Sequence, residues 1–255
     1  MSKPFIYIAG LMRTGSTVLQ ESLTCLPYSF IFHEPRLGEM CFDIKDRFMV
    51  DLPVDVKGIM QSSTTVKRFK NHAMLELLKY VQQIGVKEIR PIGWERYLTH
   101  FPDAKVVLTA RDPRDHFISM YGWVHDENGN QKKPFRGGEF NVQRVYNEIV
   151  RDFEGQIALS GYTTVIKVRY EDFVTDPSVL RELKKFVESP IPEGSGDIGG
   201  FLNGYAKRQG EHDIHGGEIT SKRIDRWKTE ENQELVARAN DYYEMMTDYR
   251  NFWSY

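Results

Sequence analysis

The 255-residue chain contains only two cysteines, Cys25 and Cys41, which are too few for a disulfide framework and match no zinc-site spacing. It contains no apolar run close to the roughly 18 residues that a membrane-spanning helix needs. The short apolar stretch that begins at Phe5 runs into Gly10 and Arg13, so no secretory signal peptide is expected. These absences exclude a disulfide-rich or membrane-spanning protein and favour a cytoplasmic one.

The chain also lacks an excess of charge of either sign. It has 34 Lys and Arg residues against 36 Asp and Glu residues, so a general nucleic-acid-binding protein is not expected. A hydrophobic content of 40% and a charged content of 27% are typical of a soluble globular protein. No His, Cys, Asp and Glu residues show metal-ligand spacing, so no metal site is expected.

The pattern of apolar residues predicts strands that alternate with helices. Buried strands are expected over 4–9, 105–110 and 163–168, and a shorter strand over 88–92. Helices are expected over 18–26, 64–84, 94–101, 113–124, 140–159, 179–187 and 229–246. This alternation predicts a single three-layer α/β/α domain over 1–255, with a central, mainly parallel sheet. Two stretches rich in Gly, Pro and charge are expected to be flexible loops: 126–138 and 188–217.

The segment after the first strand has the spacing of a Walker A loop, G-x-x-x-x-G-K-[ST], from Gly10 to Thr17. Backbone amides in such a loop and at the start of the next helix can bind a phosphate. Ser16 occupies the position of the lysine that contacts the β- and γ-phosphates, which argues against an ATP or GTP enzyme. Arg13 restores a positive charge, which favours a nucleotide with one 5′-phosphoryl group. A tight glycine turn without a ligand is the alternative.

A second anion site is expected after the strand over 105–110. Arg111 follows the strand directly, at the edge of the sheet where open α/β folds bind ligands. Ser119 lies about two helical turns further along the predicted helix. A guanidinium and a hydroxyl that converge in this way can bind one phosphate.

Together, these two sites resemble those of the sulfotransferases that use 3′-phosphoadenosine 5′-phosphosulfate (PAPS). In that family a strand–loop–helix binds the 5′-phosphosulfate, and an Arg followed eight residues later by a Ser binds the 3′-phosphate. The resemblance implies that PAPS is the co-substrate and that the reaction needs no metal. It assigns these residues to the nucleotide: Arg13, Thr14, Gly15, Ser16, Thr17, Arg111 and Ser119.

Two later segments extend the resemblance, which covers almost the whole chain. The segment 169–173, RYEDF, is similar to the family's R-Y-E-D-L segment, whose tyrosine lies near the adenine and corresponds to Tyr170. The segment 221–228, SKRIDRWK, is similar to the late segment that folds over the 3′-phosphate. It adds Ser221, Lys222 and Arg223 to the expected nucleotide-binding residues.

The implied reaction is the in-line transfer of a sulfuryl group from PAPS to a hydroxyl or amine. Arg13 and the loop amides are expected to stabilise the charge on the bridging oxygen. The phenol and steroid enzymes carry a His base after the strand that precedes the Arg111 strand, but 89–92 contains no His. The segment 32–36, FHEPR, is instead similar to that of the carbohydrate and tyrosylprotein sulfotransferases. Glu34 is therefore the predicted base. His33 is a second candidate for the base, and it is more readily interpreted as a residue that packs or orients a neighbour. The alternative for Glu34 is an ordinary surface carboxylate.

The acceptor itself is not encoded in a recognisable motif. A small molecule is favoured, with the loops 126–138 and 188–217 as its gates, and the protein is expected to be a monomer or homodimer with no nucleic-acid or membrane partner. Two other functions stay open. A small-molecule P-loop kinase is disfavoured by Ser16, and a catalytically silent nucleotide-binding protein would keep Arg111 and Ser119 without needing Glu34.

Overall fold

A computed structural model describes residues 3–39, 65–193 and 223–255. One five-stranded sheet has the order β2-β3-β1-β4-β5, and all four neighbouring pairs are parallel. The strands are β1 (Ile6–Ala9), β2 (Ser29–His33), β3 (Gln83–Glu88), β4 (Lys105–Ala110) and β5 (Val165–Arg169). The expected α/β fold with a central parallel sheet is confirmed.

Helices connect the strands and follow the last one. They are α1 (Ser16–Ser22), α2 (Val66–Arg68), a π-helical turn (Phe69–Ala73), α3 (Met74–Leu77), α4 (Trp94–His100), α5 (Pro113–Val124), α6 (Val142–Tyr162), α7 (Tyr170–Thr175), α8 (Pro177–Phe186), α9 (Arg226–Thr229), α10 (Gln233–Met245) and α11 (Thr247–Trp253). A short 3₁₀ turn over Leu37–Glu39 follows β2. None of the helices in the described ranges is long and apolar enough to cross a membrane.

The central strands bury side chains on both faces, as a parallel sheet covered by two helical layers requires. On β1, Tyr7 and Ala9 face the larger core, whereas Ile6 and Ile8 face a smaller one. The helices α2 to α6, α10 and α11 contribute buried side chains to the larger core. The helices α1, α7 and α8 contribute to the smaller core. The result is the expected three layers.

The region before Glu88 differs from the expectation. The strand expected over 88–92 lies over Gln83–Glu88, and the helix expected over 64–84 ends at Leu77. Gly85, interpreted as a helix stop, lies inside β3, where an added Cβ would be only 2.6 Å from the carbonyl oxygen of Ile6. This glycine therefore allows two central strands to approach closely. The strand β2 was not among the predicted strands.

The strand β4 and the helix α5 agree with the expected bounds. Pro113 lies in the first turn of α5, and the Asp112 side chain caps it by accepting a hydrogen bond from the Arg114 backbone amide at 2.8 Å. Because all the strands are parallel, the segments that follow β1, β2, β3 and β4 meet at one edge of the sheet.

The loop 126–138 lies wholly within the described ranges, and it is attached to α6. Phe135 is fully buried, and Arg136 forms ion pairs with Glu148 at 2.8 Å and Asp152 at 2.5 Å. Of the second expected loop, 188–217, only residues up to 193 are described.

Candidate active site

The loop between β1 and α1 is shaped by backbone that favours glycine. Gly15 has φ 81° and precedes the first residue of α1, and an added Cβ there would overlap the ring of Tyr170. Arg13 also lies in the left-handed region, at φ 69°. The loop therefore packs its backbone directly against an aromatic ring, which leaves no room for a side chain at Gly15.

Two polar residues of the loop are almost completely buried. The Thr14 hydroxyl donates to the carbonyl oxygen of Leu11 at 2.7 Å and shares a 2.8 Å hydrogen bond with the Thr109 hydroxyl. Ser16 packs against Gly10, where an added Cβ would lie 2.7 Å from the Ser16 Cβ. Thr14 thus joins the loop to β4, and small residues allow the turn to close.

Arg111 lies at the carboxyl end of β4, as expected, and is 4% exposed. Its guanidinium carbon is 4.8 Å from the centroid of the Tyr170 ring, and Nη2 donates to the carbonyl oxygen of Arg223 at 2.5 Å. Its Nε is buried and has no hydrogen-bond partner among the described residues. A buried charged donor without a partner is costly, so this N–H suits an anionic ligand.

The loop is in direct contact with the segment in which the second anion site is expected. Arg13 Nε donates to the Ser119 hydroxyl at 3.2 Å, although the two residues are 106 positions apart. Tyr170 lies between Gly15 and Arg111. The structure therefore brings together the residues that the sequence assigned to two separate segments.

Asp115 lies in the first turn of α5 and contacts the late segment of the chain. Its buried carboxylate accepts backbone hydrogen bonds from Asp225 at 2.8 Å and Trp227 at 3.2 Å. Burial raises the pKa of Asp115 to about 6, against the lowering effect of Arg111. Asp115 thereby attaches the late segment beside Arg111. Arg223 lies in that segment, whereas Ser221 and Lys222 fall outside the described residues.

On the other side of the loop, Glu34 contacts Lys87, which was not among the predicted site residues. Glu34 Oε1 lies 2.5 Å from Lys87 Nζ and 3.1 Å from His33 Nε2. Lys87 is fully buried on β3, and its ammonium also lies 3.4 Å from the Thr17 hydroxyl. A buried cation therefore lies between the candidate base and the phosphate loop.

A signal for Lys87 was present in the sequence. Lys87 and Glu88 are charged residues that directly follow the apolar stretch 84–86, and β2 and β3 pair His33 directly with Lys87. Paired residues of neighbouring strands present their side chains on the same face. Without knowing that 29–33 is a strand, however, this pairing could not be inferred.

The electrostatics keep Glu34 ionised. Burial raises the pKa of its carboxyl, but the charge of Lys87 and the hydrogen bond from His33 lower that pKa by more, so it lies well below its usual range. The His33 ring is held by Gln20, whose Oε1 lies 2.8 Å from Nδ1 while its Nε2 donates to the carbonyl oxygen of Ile31. His33 therefore presents Nε2 towards Glu34 and Lys87.

Within the described ranges, no group of three or more His, Cys, Asp or Glu residues is arranged to hold a metal ion.

Residues 4–193 match the model of the sulfotransferase family. The chain belongs to this family. No curated protein is significantly similar to it in sequence.

Solved sulfotransferase structures share the fold along nearly the whole chain. The sulfotransferase domain of the Synechococcus PCC 7002 olefin synthase has a TM-score of 0.57 at 16% identity, covering 96% of this chain and 95% of that domain. The sulfotransferase domain from the curacin biosynthetic pathway has a TM-score of 0.58 at 15% identity, covering 97% and 99%. Mouse sulfotransferase SULT7A1, complexed with PAP, has a TM-score of 0.56 at 10% identity, covering 97% and 85%.

Proposed function

We propose that this sulfotransferase moves the sulfuryl group of PAPS to a hydroxyl or amine of a small-molecule acceptor, with Glu34 as the base. The observation that carries the proposal is that the glycine-containing loop and a buried arginine, Arg111, contact the same Tyr170 ring, while the Arg111 Nε has no partner among the described residues. The loop also contacts Ser119 through Arg13. Such an arrangement suits a nucleotide with phosphates at both its 5′ and 3′ positions. The structure of mouse SULT7A1 with PAP, the desulfated product of PAPS, agrees with this proposal.

Separate groups of residues would hold the two phosphate positions of the nucleotide. The amides of 13–17 would hold the 5′-phosphosulfate, because they lie at the start of α1 in a tight turn. Arg111, with its buried Nε, and Ser119 would hold the 3′-phosphate. Tyr170 supports both positions, since its ring contacts Gly15 and the Arg111 guanidinium. PAPS supplies the sulfuryl group and leaves as PAP.

The chemistry is assigned to the charged pair beside the loop. Glu34 accepts the acceptor's proton, which becomes strongly acidic as the acceptor oxygen or nitrogen bonds to sulfur, so a carboxylate of low pKa is sufficient. Lys87, at 2.5 Å from Glu34 and 3.4 Å from Thr17, is placed to stabilise negative charge on the transferring group. Arg13 shares this role from the loop. His33 orients the pair.

A comparison of three ligands tests the nucleotide site. PAP, AMP and ATP with Mg²⁺ are added separately, and the melting temperature is measured. A ligand at about 100 times its dissociation constant stabilises the native state by about 2.7 kcal/mol. We expect PAP to stabilise far more than AMP or ATP with Mg²⁺. Stabilisation by ATP with Mg²⁺ and not by PAP would contradict the proposal and favour the kinase.

Turnover is tested by the release of PAP from PAPS, first with water as the acceptor and then with a panel of small alcohols, phenols and amines. We expect at least one alcohol, phenol or amine to accelerate the release and to gain a sulfuryl group, as detected by mass spectrometry. PAP binding without any PAPS turnover would favour the catalytically silent nucleotide-binding protein.

A further inference from the structure

The turn that carries Glu34 adopts an unfavourable backbone conformation. Glu34 has φ 49° and Arg36 has φ 54°, on either side of Pro35. Residues with a Cβ avoid this left-handed region, so a turn with two of them needs contacts that hold it. The contacts come mainly from β3 and α4.

Two consecutive residues of β3 hold the turn, one through its backbone and the other through its side chain. The carbonyl oxygen of Lys87 accepts a hydrogen bond from the Glu34 backbone amide at 2.7 Å. Glu88 follows, and its Oε1 accepts one from the Arg36 backbone amide at 2.9 Å. The carbonyl oxygen of Glu88 also accepts from the Gly10 amide at 2.8 Å, so the same residue holds the start of the phosphate loop.

Glu88 is in turn held by Tyr97 of α4. The Tyr97 hydroxyl donates to Glu88 Oε1 at 2.7 Å, and its fully buried ring stacks on Tyr7 with centroids 4.8 Å apart. The start of α4 lies against the 3₁₀ turn after β2, because an added Cβ on Gly93 would overlap the carbonyl group of Gly38. The helix α4 thus supports both Glu88 and the chain that follows the Glu34 turn.

We propose that Glu88 and Tyr97 are positioning residues for sulfuryl transfer, which hold the Glu34 turn in the conformation that directs the Glu34 carboxylate towards Lys87. This inference rests on the proposed role of Glu34 as the base. Neither residue contacts the reacting atoms. Each acts through the backbone of 34–36.

Four substitutions separate this role from general stability. Glu88→Leu removes the acceptor of the Arg36 amide, whereas Glu88→Gln keeps an oxygen there. Tyr97→Phe removes only the hydroxyl and covers the case in which Glu88→Leu does not fold. Tyr7→Phe is the matched control, because the Tyr7 ring stacks on that of Tyr97. The Tyr7 hydroxyl is buried and has no hydrogen-bond partner among the described residues.

The first measurement is amide hydrogen exchange of a peptide that covers 33–37. We expect faster exchange in Glu88→Leu and Tyr97→Phe, and exchange close to that of the unchanged protein in Glu88→Gln and Tyr7→Phe. Unchanged exchange in both Glu88→Leu and Tyr97→Phe would overturn the inference whatever the role of Glu34.

The second measurement is a double-mutant cycle in PAPS turnover, with Glu34→Gln as the other substitution. We expect Glu88→Leu to lower kcat by about 10²-fold, the effect of a misplaced catalytic group, with the KM for PAPS within about twofold. In the Glu34→Gln background the same change should lower kcat little further. Full additivity would overturn the inference. Unchanged kcat in Glu34→Gln alone would instead contradict the proposed base.

Discussion

The two halves of the candidate site consist of different chemical groups. The nucleotide half, made of 10–17, Arg111, Ser119 and Tyr170, presents backbone amides and a buried guanidinium around an aromatic ring. The base half, made of Glu34, Lys87 and Glu88, consists of ionisable side chains in contact with one another or with the backbone of the 34–36 turn. The difference predicts that changes in the first half alter binding, whereas changes in the second alter turnover.

The base half also depends more on its partners. Breaking a buried ion pair on one side leaves an uncompensated charge, which is strongly destabilising. Lys87 is fully buried beside Glu34, so neither charge can be removed without affecting the other. In the nucleotide half, Arg111 contacts the Tyr170 ring and donates a hydrogen bond to the carbonyl oxygen of Arg223.

The largest expected effect is that of Glu34→Gln. Loss of the base should lower kcat in PAPS turnover by about 10²- to 10⁴-fold, with the affinity for PAP within about twofold. Glu76→Gln, which disrupts only an exposed pair with Lys79, is the matched control and should leave kcat unchanged. Retention of full kcat in Glu34→Gln would show that Glu34 is not the base.

Lys87→Met should lower kcat by about 10²- to 10³-fold, because it removes the buried cation beside the transferring group. It should also change the pH profile. Lys87 lowers the pKa of Glu34, so its loss raises that pKa, and activity should fall on the acidic side where the unchanged protein is flat. Lys79→Met is the control. An unaltered acidic side would contradict the ion pair.

Arg111→Ala tests the nucleotide half through the 3′-phosphate. A hydrogen bond to a charged group contributes about 1.5–3 kcal/mol, so the affinity for PAP should fall by about 10- to 100-fold. AMP, which lacks the 3′-phosphate, should lose less than about threefold. Titration calorimetry measures both ligands on both proteins. An equal loss for PAP and AMP would remove Arg111 from the 3′-phosphate site.

Gly15→Ala should weaken PAP binding and lower the melting temperature by several degrees, because φ 81° and contact with Tyr170 both oppose a side chain. Gly122 is the matched control: it lies inside α5, where an added Cβ meets nothing within 4 Å. Gly122→Ala should raise stability by about 0.5–1 kcal/mol. Gly15→Ala with unchanged binding would contradict the close packing of the loop.

The smallest effect concerns the pH dependence of stability. Burial raises the pKa of Glu88 to about 8 from an ordinary 4.5, so the folded protein holds this proton more tightly than the unfolded chain. Stability should therefore fall as the pH rises through that interval. The decline in melting temperature between about pH 5 and 8 should be shallower in Glu88→Gln. An equal decline in both proteins would contradict the raised pKa.

The elements that carry the nucleotide half were predictable from the sequence because their signals are local. The apolar run that begins at Lys105 marks β4. The cap at Asp112 and the proline at Pro113 mark the start of α5, so each bound depends on residues that are close together in the chain. The glycine loop after β1 was recognisable in the same way. Arg111 and Ser119 follow from these elements by counting along the chain.

The base half was predicted only in part, because long-range pairing creates it. Glu34 was found through its resemblance to a family segment, but β2 was missed and β3 was placed too late. Lys87 and Glu88 interrupt the apolar pattern of β3, and their burial is tolerable only because Glu34 and Tyr97, from other parts of the chain, contact them. The sequence pattern alone predicts that Gly85 ends a helix. In the structure Gly85 lies in β3 and allows Ile6 of β1 to approach closely.

The separation of the two halves is tested most directly by PAPS turnover of Glu34→Gln and Arg111→Ala at increasing PAPS concentration. Loss of a base lowers kcat, whereas loss of a binding contact raises the KM. We expect Glu34→Gln to stay slow at saturating PAPS with a normal KM, and Arg111→Ala to recover most of its kcat. Recovery of Glu34→Gln at saturation, or an Arg111→Ala protein that is slow at saturation with a normal KM, would contradict it.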